Sequence, residues 1–119
     1  MSRHDDLVRL KHMRDYAREA LAIAGGNTLE SFTADRMAQL ALMHLVDIVG
    51  EAASRVSTDT KEAIPAIPWP KVIGTRNRIV HGYDNMNLPL LWETVQFSLP
   101  PLIAALDEAI ARIEAERRK

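Results

Sequence analysis

The apolar residues of this chain recur at spacings of three and four over long runs, and nowhere do they alternate with polar residues between turns. That pattern leaves helices as the building material, because a strand half-buried on a core reads with period two. Residues 4–24 carry Leu7, Leu10, Ala17, Leu21 and Ala24 at helical spacing, while Arg9, Arg14, Arg18 and Glu19 fall elsewhere. Gly25-Gly26-Asn27 closes this first helix, since these residues accept the left-handed conformation needed past a helix end. From Thr33 to about Arg55, Met37, Leu40, Ala41, Leu45, Ile48, Val49 and Ala52 form a stripe wide enough to face more than one neighbour.

Ser57-Thr58-Asp59-Thr60 offers an N-cap for a short helical turn ending near Ile64. The following Pro65-Ala66-Ile67-Pro68-Trp69-Pro70 cannot be helix interior, because each proline removes an amide donor. Proline is favoured in a first turn, however, so a fourth helix is predicted from near Pro68 to about His81, with Gly82 beyond its end. Asn87-Leu88-Pro89 opens a last helix running to Arg117, kinked or interrupted at Pro100-Pro101. The expected fold is all-α: an up-and-down helical bundle of four long helices plus a short helix, one domain over 1–119. At 119 residues one proper core is possible without staples. Trp69 and Trp92 read as core or interface anchors rather than base-stacking platforms.

The absence of cysteine excludes disulfides, thiolate-bound zinc, iron–sulfur clusters and thiol nucleophiles. A formal net charge of −1 excludes a broadly cationic nucleic-acid coat, although not a local basic pocket. The polar start and the lack of a long apolar run predict no signal peptide, no membrane span and a cytoplasmic location.

Against that neutral background, Ala63 to Tyr83 contains no Asp or Glu but holds Lys71, Arg76, Arg78 and His81. A partly exposed basic helix face is the plain reading of such a stretch. The arrangement Arg76-Asn77-Arg78-Ile79-Val80-His81-Gly82-Tyr83 supports a sharper one, because it packs a guanidinium fork, an imidazole and a phenol into eight residues. Arginine can grip phosphate oxygens bidentately and stabilise charge building on them. Histidine can take or give a proton near neutrality. RNA supplies its own nucleophile, the ribose hydroxyl beside the scissile phosphate, so these groups could cleave it without a metal or cofactor. On an unbroken helix, residues 76 and 81 would lie roughly 140° apart. They converge only if the arginine arm curls back, if the helix loosens before Gly82, or if a second subunit supplies its own pair.

The run Arg76-x4-His81-x-Tyr83 resembles the signature of the HepT-like branch of the HEPN ribonuclease superfamily. Ile48-Val49-Gly50-Glu51-Ala52, Ile67-Pro68-Trp69, Leu91-Trp92-Glu93 and Leu99-Pro100-Pro101-Leu102 resemble other stretches of that family in order and spacing. The resemblance implies a helical bundle that pairs as a homodimer and an endoribonuclease toxin of a bacterial type VII toxin–antitoxin system. It implies Arg76 and His81 as the catalytic residues, with Asn77 and Arg78 supporting them or binding RNA. It also implies a partner, an MntA-type minimal nucleotidyltransferase antitoxin, that transfers AMP to Tyr83. A non-catalytic nucleotide- or RNA-binding subunit is the alternative that the same residues leave open.

His44, Asp47 and Glu51 share one side of the second long helix. They lack the paired Glu-x-x-His motifs of a bundle metal site, so no metal is expected there. Glu51 is instead expected as a buried or interfacial partner that orients Arg76. His4 and His12 read as solvated.

Overall fold

The computed structural model describes residues 3–82 and 85–119. It is all-α: α1 (Arg3–Gly25), α2 (Leu29–Thr33), α3 (Arg36–Ser54), α4 (Thr58–Ala63), α5 (Trp69–Ile73), α6 (Thr75–Ile79), α7 (Leu88–Glu93) and α8 (Leu99–Arg117). A π-helical turn, Thr94–Ser98, joins α7 to α8 without a break. No strand occurs among the described residues, only an isolated bridge between Val80 and Met86. No helix among them is long and apolar enough to cross a membrane.

α1 is the central rod, packed against both α3 and α8. Its buried stripe, Leu7, Leu10, Met13, Ala17, Ala20 and Ala24, repeats at three and four, the spacing of one helix face. α8 answers with Leu99, Leu102, Leu106, Ala109 and Ile110. Lys11 pairs with Glu114 at 3.0 Å and Arg18 with Asp107 at 2.8 Å, so advancing along α1 means retreating along α8. These half-exposed, solvent-screened pairs set register more than stability.

A buried acid ties the start of α1 to α4. Asp6 is 3% exposed and accepts hydrogen bonds from Ser57 N–H at 3.0 Å, Ser57 Oγ at 2.6 Å and Thr60 Oγ1 at 2.6 Å. Burial pushes its carboxyl up, but the Ser57 and Thr60 hydrogen bonds outweigh burial and hold it below the ordinary aspartate value.

Three local expectations need correction. The helix expected from Thr33 begins later, and a separate turn precedes it: Thr28 caps a one-turn helix, accepting from Ser31 N–H while its own N–H donates to the Ser31 hydroxyl. This turn buries Phe32 against Trp92, ring centroids 5.1 Å apart, and moves the start of α3 to the Asp35 cap. The helix expected from Pro68 to His81 breaks at Gly74 and ends at Ile79. At Gly74 the backbone N–H donates to Pro70 O, and a Cβ there would sit 3.1 Å from that same oxygen. The last helix does yield to Pro100-Pro101, but just ahead of the pair. Those prolines cannot donate to the carbonyls four residues back, and the wide turn over 94–98, in which Leu99 N–H reaches Thr94 O, absorbs the mismatch.

Trp69 is a core anchor as expected, its indole N–H donating to Lys61 O and Ile64 O at 3.1 Å. The wide stripe of α3 is only half used. Ala38, Leu42, Leu45, Val46, Val49 and Ala53 are buried, whereas Met37 and Leu40 are 82% and 48% exposed.

Candidate active site

The short helix α6 owes its place to a glycine on α3. A Cβ on Gly50 would lie 3.2 Å from Val72 O and 3.6 Å from Ile73 O, so any larger residue would push α5 back by a few tenths of an ångström. α6 follows directly from α5 and therefore presents Arg76 and Asn77 over the outer face of α3. With Asp47, Gly50, Glu51, Ser54 and Ile73 they line a groove of about 130 Å³. That volume suits a phosphate group more than a nucleotide.

Arg76 Nη1 lies 3.8 Å from Asp47 Oδ2, both side chains about half exposed. The carboxylate facing Arg76 is thus Asp47, not Glu51. Glu51 is exposed, its side chain turned one turn along α3 to Arg55, with Oε1 3.1 Å from Nη2. Glu51 borders the same groove but is exposed in the protomer, so of the buried or interfacial role expected of it the buried form does not hold. Both acids share one side of α3, and it is Asp47 that α6 brings within reach of the arginine.

Arg78 stands apart from Arg76. Two residues along a helix turn the side chain by about 200°, which sends Arg78 to the opposite flank of α6. There its Nη2 donates to Lys71 O at 2.8 Å and Thr75 Oγ1 at 3.0 Å. Asn77 is with Arg76; Arg78 is not.

His81 lies beyond the helix. Val80 is extended (φ −93°, ψ 121°), so the angle of an unbroken helix no longer separates residues 76 and 81. His81 N–H donates to Asn85 O and Asn87 N–H to Ile79 O, both at 2.7 Å, closing a tight loop pinned by the Val80–Met86 bridge. Gly82 makes the reversal with φ +79°. The imidazole is exposed and has no hydrogen-bond or ion-pair partner among the described residues. Tyr83 lies outside the described residues. Among those described, no three His, Cys, Asp or Glu side chains could hold a metal ion together.

The family model described as ribonuclease HepT-like matches residues 13–109, which carry α3, α6 and the His81 loop. The chain belongs to the ribonuclease HepT-like family. Its relatives include a protein of Methanocaldococcus jannaschii named as a proposed RNase, 26% identical over 86% of this chain and 94% of its own length. A protein of Thermococcus cleftensis named probable ribonuclease HepT is 33% identical over 61% of this chain and 66% of its own. Another proposed RNase, from Caldanaerobacter subterraneus subsp. tengcongensis, is 24% identical over 87% of this chain and 92% of its own. No solved structure gives a significant match. Ribonuclease activity is accordingly what the family description and the names of these relatives give.

Asp47 and Asn85 are the residues of this site that sequence reasoning did not assign. Asp47 shares a helical side with Glu51, which was a usable signal; nothing in the sequence marks Asn85.

Proposed function

We propose that the protein is a metal-independent endoribonuclease that cleaves RNA by attack of a ribose 2′-hydroxyl on the adjacent phosphate. The 2′ oxygen bonds to phosphorus and loses its proton, the bond from phosphorus to the 5′ oxygen breaks, and the departing oxygen gains a proton. Arg76 holds and stabilises the phosphate, with Asn77 positioning it in the groove, and His81 carries a proton. Arg78 contributes as an RNA-binding cation from the other flank of α6. The observation carrying this reading is the placement of Arg76 at the groove on α3 with an exposed His81, unpartnered among the described residues, just beyond the end of the same helix.

In this reading the working unit is a homodimer paired along α3. Met37, Leu40, His44, Asp47, Ile48 and Glu51 share one helical face, the face that Arg76 overhangs. Two-fold pairing there would bring two arginines and two histidines to one cleft. The protein is then the toxin of a bacterial type VII toxin–antitoxin system. An MntA-type nucleotidyltransferase silences it by adding AMP to Tyr83, two residues from His81. A phosphate and base at that position would compete with RNA for the site's cations.

One observation favours a second reading, a non-catalytic RNA- or nucleotide-binding subunit: no hydrogen bond joins Arg76 to His81 within the protomer, and Asp47 already faces the arginine. End-group analysis separates the two. Cleavage by the ribose hydroxyl leaves 2′,3′-cyclic phosphate ends, whereas tight RNA binding with no new ends at high protein concentration sustains the second reading.

A further inference from the structure

A second concavity opens on the other side of α6, between α3, α5 and the π-helical turn. It encloses about 300 Å³, the lower end of the range for small-molecule sites. Val46, Val49 and Leu102 are among its apolar walls, Lys71 and Arg78 bring two cations, and no Asp or Glu lines it. The Arg78 guanidinium is pre-set by Lys71 O and Thr75 Oγ1, so an incoming anion meets an already ordered fork. Phe97, on the π-helical turn, leaves its ring 73% exposed at this cleft. An apolar floor, an exposed aromatic ring and two cations without a carboxylate suit a ligand that is a flat ring joined to an anion.

We propose that this cleft is a subsite for one nucleotide of the RNA strand, outside the pair joined by the scissile phosphate. The base stacks on Phe97 and the apolar wall, and the flanking phosphate sits on Lys71 and Arg78. Stacking on an aromatic ring is open to every base, and phosphate contacts fix register. Arg76 and Arg78 stand on opposite flanks of one helical turn, so a strand crossing the exposed end of α6 meets the catalytic groove first and this cleft next. The proposal rests on the ribonuclease reading for its choice of strand RNA over free nucleotide, the two sources of the same chemistry.

The test uses the full-length protein, Phe97→Ala and Lys71→Ala, both at exposed positions, with a dinucleoside monophosphate and an eight-nucleotide RNA as substrates. Each variant is expected to lose about tenfold in kcat/KM on the octamer, mostly through KM, and to cleave the dinucleoside monophosphate at the wild-type rate. Equal loss on both substrates, or no loss on either, overturns the proposal. Fluorescence anisotropy of a labelled octamer on His81→Ala, with and without Phe97→Ala, gives a readout independent of turnover. A tenfold affinity loss there upholds the subsite even if the wild type proves inactive, in which case the ribonuclease reading alone fails. Competition by free AMP, CMP, GMP or UMP as strong as the octamer's own binding assigns the cleft to a free nucleotide and overturns the strand assignment. Competition at least tenfold weaker supports it. A change in sedimentation mass with unchanged octamer affinity makes the cleft a protein contact and likewise overturns the proposal.

Discussion

Replacing Arg76 by alanine separates catalysis from folding, because the structure asks little of this side chain in stability. Its partner Asp47 sits 3.8 Å away and both groups are about half exposed, so solvent screens the pair to below about 1 kcal/mol. Loss of the arginine stem's packing adds a few tenths, offset in part by alanine's better helix propensity. The sum is about 1 kcal/mol, a melting-temperature drop of about 4 °C for a domain of this length. Loss of a charged donor from the transition state is far larger, about 2.7–4 kcal/mol, or roughly 10²–10³ in kcat. The assay is a thermal melt by circular dichroism beside initial rates on a defined RNA. A drop above about 10 °C would mean that Arg76 supports the fold, and turnover within threefold of wild type would remove it from the chemistry.

Three further outcomes follow from the same structure. Asp6→Ala should cost about 3 kcal/mol at pH 7, since three hydrogen bonds to a buried carboxylate disappear. Because the folded carboxyl titrates below its unfolded value, the part of that stability that depends on ionisation is present above about pH 4 and is lost as pH falls through the folded pKa. The gap between urea melts of wild type and variant should therefore narrow in acid; a constant gap would refute the ionised network. Gly82→Ala has open space around its new Cβ but a φ of +79°, so it should cost about 1 kcal/mol of backbone strain and displace His81. Gly82→Asn, which tolerates that conformation, should recover activity, and failure to do so would detach the turn from the site. Met37→Glu with Leu40→Glu should leave the protomer helical by circular dichroism and halve the mass seen by sedimentation; an unchanged mass would rule out pairing along α3.

The long helices were legible because their burial follows a single period. Leu7, Leu10, Ala17 and Ala24 are buried as their spacing requires. Met37 and Leu40 obey the same period yet face outward, since periodicity marks an apolar face without saying whether this chain or another molecule covers it. The short elements were harder. The turn at Phe32 rests on one capping pair, Thr28 and Ser31, and the break at Gly74 depends on how closely α5 approaches its neighbours. In the site, Arg76 and His81 could be named from residue chemistry and from the family resemblance. The choice of Asp47 over Glu51 as the acid facing Arg76 could not, because both lie on one side of α3 and only the packing of α6 against it separates them.

RNA cleavage by purified protein in excess chelator, wild type beside His81→Ala, is the decisive measurement. Turnover should survive chelation and end in 2′,3′-cyclic phosphate, falling at least about 100-fold in the variant while its melting temperature stays within a few degrees. Equal turnover by both proteins, or turnover abolished by the chelator and restored by a divalent ion, would contradict metal-independent cleavage through His81.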